Sequence, residues 1–328
     1  MVALGGGHGL FASLSALRRV TSNVTAIVTV ADDGGSSGRL RREFGMLPPG
    51  DLRMALAALC GDDDWGMTWA RVVQHRFGGG GELGGHSAGN LLIAALWDLL
   101  GDPVAGLDWV GRLLRVTGRV LPMAAVPLDI VALVEGVDPA RPDRVSVVRG
   151  QAACAKTPGK VRSISLQPSD PPAVPEAVSA VQGADWVVFG PGSWFTSVLP
   201  HLLVPALAGA LHATAARRLV TLNLVAQPGE TAGFSPHRHL EVLAEHAPAL
   251  CVDVVLADTR AARGCEDELE KASRLLGARL VLADIAAEDG ARHDPERLAA
   301  AFRGVFGDPP GRPSRWPAGS SGEAGRVD

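Results

Sequence analysis

A chain of 328 residues that is 47% hydrophobic holds enough apolar content for one large core or two ordinary ones. Its net charge of -4 and pI near 6.1 lack the strong positive field of general nucleic-acid or acidic-membrane binders, so no nucleic-acid partner is expected. Cys60, Cys154, Cys251 and Cys265 stand apart with no CxxC spacing, which excludes a zinc or disulfide framework and reads as reduced core thiols of a cytoplasmic protein.

Met1 leads straight into an apolar strand at Val2 to Leu4, with no basic flank before a cleavable apolar region, so no targeting segment is expected. Gly5, Gly6, Gly7 and Gly9 follow, interrupted by His8, and a helix runs from Leu10 to Leu17. Gly7, Gly9 and Ala12 fit G-x-G-x-x-A between a strand and a helix, where backbone N–H groups and a helix N-terminus hold a phosphate. Taken alone, such a turn also forms with no ligand. The β-branched run Val24 to Val30 reads as a strand covered on both faces and ends in ADDGGSSGRLRREFG. There Asp32 and Asp33 stand beside Gly34, Gly35, Ser36 and Ser37: two carboxylates next to a concave run of N–H groups and hydroxyls, suited to sugar hydroxyls or to magnesium. One aspartate is expected to cap a helix starting near Gly38. Arg39, nearest the turn, is a candidate phosphate contact, while Arg41 belongs to a solvated face. Asp51 in PPGDLR sits at a helix start, where capping accounts for it, and joins Asp32 and Asp33 if magnesium is used.

Helical periodicity covers Leu52 to Leu59, Trp65 to Val73, Ala88 to Leu100 and Leu107 to Val116. In GELGGHSAGNLL, Ser87 is the expected N-cap, Asn90 falls in the first helical turn, and His86, flanked by glycines, reads as a ligand contact. Residues 126 to 166 carry short β-like runs at Val131 to Val134, Val145 to Val148 and Val161 to Leu166, and form a small inserted β-rich subdomain. Alternation then resumes with strand Trp186 to Phe189, helix His201 to Thr214, strand Leu219 to Leu224, helix His237 to His246 and strand Val252 to Leu256. A helix from Glu266 to Leu276, a strand from Arg279 to Leu282 and a helix from Pro295 to Phe302 complete the series.

The tract Trp186 to Ala216 contains no Asp, Glu, Lys or Arg, yet Gly190, Pro191, Gly192, Pro200 and Pro205 break it, so no membrane span is expected. Within it, FGPGSWFTS places Gly190 and Gly192 where backbone can approach closely, and Ser193 and Thr196 supply hydroxyls. Asn223 and the QPGETAG loop at 227 to 233 lie beyond the next strand. From Asp308 to Asp328 the Pro, Gly and Ser content reads as a disordered tail after a single α/β domain at 1–307.

This βαβ rhythm predicts a mostly parallel, Rossmann-like sheet with helices on both faces. Three small-residue turns at three strand ends then line one crevice, which points to a phosphorylated or nucleotide-like ligand. There is no G-x-x-x-x-G-K-[ST] or H-E-x-x-H, which argues against P-loop nucleotide binding and zinc-dependent hydrolysis of that kind.

GGGHGL at 5 to 10, VTVADDGGSSGRLRREFGMLPPGDLR at 28 to 53, GELGGHSAGNLL, GRVLP at 118 to 122, ADWVVFGPGSWFTSVLPHLLVP and LNLVAQPGETAGFS together closely resemble the YvcK, or gluconeogenesis factor, family, grouped with the CofD-type 2-phospho-L-lactate transferases. The resemblance spans about residues 2 to 305. It implies a CofD-like fold and a cytoplasmic factor that binds a UDP-sugar, notably UDP-N-acetylglucosamine, and links carbon metabolism to cell-wall precursor supply and cell shape. A regulatory protein partner and a homodimer are further expectations. The transferase relatives imply the alternative, a magnesium-dependent transfer from a nucleotide-linked phospho substrate, and NAD binding is a weaker third. Where the family carries GGGTG, this chain has His8 in place of the threonine.

Overall fold

In the computed structural model, residues 1–227, 230–231 and 233–307 are described. The tail expected at 308–328 lies outside the described residues. In chain order the elements are β1 (Val2–Gly5), α1 (Gly7–Leu17), β2 (Thr25–Val28), α2 (Gly35–Phe44), α3 (Gly50–Ala58), α4 (Asp64–Gln74), α5 (Ala88–Leu100), α6 (Pro103–Leu114) and β3 (Arg119–Pro122). An inserted unit follows: β4 (Asp129–Glu135), β5 (Val145–Arg149), α7 (Gln151–Cys154) and β6 (Lys160–Gln167). The chain then returns through α8 (Pro175–Gln182), β7 (Trp186–Phe189), α9 (Pro205–Ala213), β8 (Arg217–Thr221), α10 (Pro236–His246), β9 (Val254–Asp258), α11 (Glu266–Leu275), β10 (Arg279–Ala283) and α12 (Pro295–Gly307).

Seven strands form a wholly parallel sheet in the order β10-β9-β8-β7-β1-β2-β3. The chain starts in the middle, winds outward through β2 and β3, and re-enters on the other side of β1 as β7. The order therefore reverses between β1 and β7, the place where doubly wound sheets bind ligands. The strands flanking that point are buried along their whole length, as a sheet covered on both faces requires. The inserted unit obeys the other strand rule. Its sheet, β5-β4-β6, is antiparallel, and β4 buries Ile130, Ala132 and Val134 while the residues between face outward.

Helix starts follow local chemistry. Pro opens α6, α8, α9, α10 and α12, where its missing N–H costs nothing. At α6, Asp102 also accepts the N–H groups of Val104 and Ala105.

The sequence reading differs from the structure at several elements. Strand β3 and helix α8 were not expected as elements, because four residues and eight residues give too short a periodic signal. Helix α2 starts at Gly35, not Gly38, and β8 ends at Thr221, short of Asn223. The helix expected at His201 to Thr214 is divided: a π-turn segment at Trp194–Val198 and a 3-10 turn at Leu199–Leu203 precede α9, and the two parts meet at 81°. Pro205 sets that break, since it fits only the first turn of a new helix. No single helix among the described residues is long and apolar enough to cross a membrane. Of the cysteines, Cys60 and Cys154 are buried, Cys265 is half-buried, and Cys251 is exposed rather than in the core.

Candidate functional site

The turns after β1 and β7 meet at the reversal point. A Cβ on Gly9 would fall 2.6 Å from the carbonyl carbon of Pro191 and collide with Gly192, so the group that excludes a side chain there is the chain's own second turn. Ser13 of α1 donates to the Gly190 carbonyl at 2.7 Å, and Asn223 clamps Gly192 with both ends of its amide, accepting from its N–H and donating to its carbonyl, each at 2.8 Å. Asn223, a candidate ligand contact from sequence, is thus a brace for the turn.

At Gly6 the neighbour is Asp51, whose Oδ2 lies 2.5 Å from where a Cβ would be, with the Ser197 hydroxyl at 3.3 Å. The N-terminus of α3 therefore points its acid into the glycine turn, and Asp51 is more than a helix-end residue. Burial first, then the negative charge of Asp32, push its carboxyl up to about 7, against the opposing pull of the Gly7 N–H and Arg53. Asp32 itself accepts the Gly34 N–H at 2.9 Å, and its Oδ2 lies 3.0 Å from a would-be Cβ on Gly50. Ser37 presses on the same glycine, so α2 and α3 pack here at glycine distance.

Asp33 faces away from this pair. Its Oδ1 accepts the Ala152 N–H at 2.9 Å, which ties the inserted unit's α7 to the end of β2. Arg41 does the same work from α2, donating to the Leu128 carbonyl and to Asp129 at 2.7 Å. That corrects the solvated-face expectation for Arg41. Arg39 donates to the Gly84 carbonyl at 2.8 Å and so holds the glycine-rich loop before α5.

Ser36, His86 and Asn90 form a buried polar chain. The Ser36 hydroxyl accepts from Asn90 Nδ2 at 3.0 Å and sits 3.0 Å from His86 Nδ1, and Asn90 Oδ1 accepts from Arg53 Nε, which reaches on to Gln74. The Ser87 N–H also donates to the Ser36 hydroxyl, at 3.4 Å, so with both lone pairs engaged Ser36 donates to Nδ1, which places the proton of neutral His86 on Nε2. Burial first, then Arg39, hold the His86 pKa below its usual value. Ser87 precedes α5 but makes no side-chain cap bond. His8 lies exposed in the first turn of α1.

The third turn brings a residue the sequence reading did not single out. Thr196 bonds the Ser193 hydroxyl and donates to Glu230 Oε1 at 2.5 Å, while Glu230 Oε2 accepts the Phe195 N–H at 3.3 Å. Burial raises the pKa of Glu230, with the Ser193 and Thr196 hydroxyls opposing. The only sequence signal was an acid inside QPGETAG, a loop on the same sheet edge. Thr29, buried at the end of β2, similarly joins two turns by donating to the Ser197 carbonyl at 2.9 Å.

Asp32, Asp51 and Glu230 thus converge on one carboxyl edge, two of them with raised pKa, a combination typical of functional clefts. The family described as "2-phospho-L-lactate transferase CofD" matches residues 1–293. "Putative gluconeogenesis factor" of Mycobacterium tuberculosis is 58% identical over 307 residues, covering 93% of this chain and 90% of that one. "Gluconeogenesis factor" of Bacillus subtilis is 36% identical over 281 residues, covering 86% and 84%. The chain belongs to the CofD family, with the gluconeogenesis factors. A solved member of the UPF0052 family from Bacillus halodurans superposes with a TM-score of 0.80 at 34% identity, over 92% of this chain and 97% of that one. The architecture of this CofD-family member, parallel sheet plus small antiparallel sheet, is therefore the fold expected from its sequence.

Proposed function

We propose that this CofD-family chain is a regulatory factor that binds a UDP-sugar, of the UDP-N-acetylglucosamine kind, and so couples carbon metabolism to cell-wall precursor supply and cell shape. The observation that carries the reading is the meeting of the β1 and β7 turns at the reversal point, with Asp51 beside Gly6 and Gly7 and Asp32 near enough to Asp51 to act on its charge. A diphosphate brought to that edge faces two carboxylates as well as N–H groups. Unaided, the like charges oppose binding.

Magnesium would relieve that conflict, and the carboxylate pair fits it. Mg²⁺ is usually held by one or two carboxylates, with waters and substrate phosphates completing its shell. Asp32 and Asp51 are such a pair, close enough for Asp32 to raise the Asp51 pKa. Among the described residues no cluster of three or more His, Cys, Asp or Glu side chains is arranged for a metal, so an ion held by Asp32 and Asp51 would depend on water and ligand oxygens for its other partners. An ion held by this pair would offset diphosphate charge. Asp32 and Asp51 would hold it beside the glycine turn, where the Ser197 hydroxyl also lies close to Gly6.

The same carboxylate pair favours a second reading, magnesium-dependent transfer from a nucleotide-linked phospho substrate. Calorimetric titration with UDP-N-acetylglucosamine, GDP and NAD, with and without magnesium, separates the two on wild type and Asp51→Asn. Expected is UDP-sugar binding that strengthens with magnesium and weakens about tenfold or more in the variant. No heat with the UDP-sugar overturns the proposal. Magnesium-dependent GDP binding tighter than that of the UDP-sugar installs the transferase instead.

A further inference from the structure

We propose that the cavity between the inserted unit and α10 holds the sugar of the nucleotide sugar, an inference that rests on the reading just given. The cavity measures about 530 Å³, and its wall includes Thr157, Lys160, Glu230, Phe234, His237 and Arg238. Ligand pockets commonly run from about 300 to 1,000 Å³, and a hexosamine with ordered water fits that range.

Glu230 ties the cavity to the glycine turns. It is 4% exposed, lines the cavity, and braces the third turn through Thr196 and the Phe195 N–H. The cavity therefore begins one side chain away from Ser193, and a ligand whose diphosphate lies at the reversal point reaches it with its next group.

The wall's chemistry selects that group. Glu230, engaged by the Ser193 and Thr196 hydroxyls and by the Phe195 and Thr196 N–H groups, fixes the third turn at the cavity edge. Lys160, exposed at the start of β6, has no acid partner among the described residues, and Arg238 adds a guanidinium held by Glu241 and Glu245. Thr157 Oγ1 and His237 Nδ1 are buried with no hydrogen-bond partner. Phe234 supplies one aromatic surface. Donors and acceptors spread around a single apolar face match ring hydroxyls and an acetamido group. A nucleobase would call for a flat apolar slot, and one phenyl ring does not make one. A buried Glu230 also disfavours a sugar that carries its own carboxylate, so the cavity takes a neutral sugar in preference to a uronic acid.

The test compares UDP, UDP-N-acetylglucosamine and UDP-glucuronate by calorimetry on wild type, Lys160→Ala and Phe234→Ala, with thermal melts to establish folding. Wild type is expected to bind UDP-N-acetylglucosamine about tenfold or more tighter than UDP, and more tightly than UDP-glucuronate. Lys160→Ala, on an exposed strand end, is expected to remove most of that preference while leaving UDP affinity within about twofold. An unchanged ratio in Lys160→Ala overturns the assignment, as does tighter binding of UDP-glucuronate by wild type. Failure of UDP to bind wild type removes the nucleotide reading, and N-acetylglucosamine 1-phosphate then decides the cavity alone: binding lost in Lys160→Ala supports it, and no binding overturns it.

Discussion

Asp51 concentrates the functional tension of the protein in one side chain. Its carboxyl, pushed from 3.8 to about 7, holds a proton in the fold that the unfolded chain releases. Between those values the native state binds more protons than the unfolded state, so this group's contribution to stability falls as pH rises from about 4 to 7 and is flat above. Asn carries no charge and keeps the shape. Asp51→Asn is therefore expected to raise stability at pH 8 by roughly 1 to 3 kcal/mol and to flatten the slope between pH 4 and 7, read from urea unfolding across pH. Equal stability of the two proteins at pH 8 would contradict the burial argument. Asp258 runs the other way: burial opposes ionisation, but the N–H groups of Ala261, Ile285, Arg260 and Ala286 overcome it and hold the pKa below 3.8. That stability is complete above the ordinary carboxylate value and drains as pH falls beneath it.

At the scale of elements, the inserted unit is fastened to the sheet by two polar struts as well as by its apolar face. Asp33 caps the start of α7, and Arg41 holds the start of β4 through Leu128 and Asp129. Losing a capping carboxylate costs about 0.5 to 2 kcal/mol. Asp33→Ala is expected to speed hydrogen exchange in β4, β5 and β6 while β1 and β7 stay protected, because those strands lie in a separate sheet. Uniform loss of protection across both sheets would show that Asp33 serves the core instead. His86 and Asn90 also belong to this scale, since they lock α5 to α2 and α3 through Ser36 and Arg53.

At the scale of the whole molecule, the last described helix returns to the first. Helix α12 packs on α1, Arg19 pairs with Glu296 at 2.5 Å, and Phe306 meets Trp186 of β7 at a ring separation of 4.9 Å. Phe302 is fully buried in the same core cluster as Leu4, Leu14 and Val188. Phe302→Ala is expected to destabilise by about 3 to 5 kcal/mol, with fluorescence and circular dichroism still reporting one transition. Two separated transitions would mean that the C-terminal strands fold apart from β1.

What the sequence determined alone is what short-range chemistry encodes. Apolar runs fixed the buried strands, short β-like runs marked the inserted unit, and glycine-rich turns after β1, β2 and β7 marked the candidate site's edge, because these depend on residues within one element. What only the tertiary structure decided is which partner each turn residue meets. Gly9 is narrow for Pro191 and Gly192, Asp33 serves the inserted unit, Asn223 clamps Gly192, and Glu230 joins the site from a loop far along the chain. Side-chain direction and pKa depend on what the fold brings within a few ångströms, and no pattern along the chain records that distance.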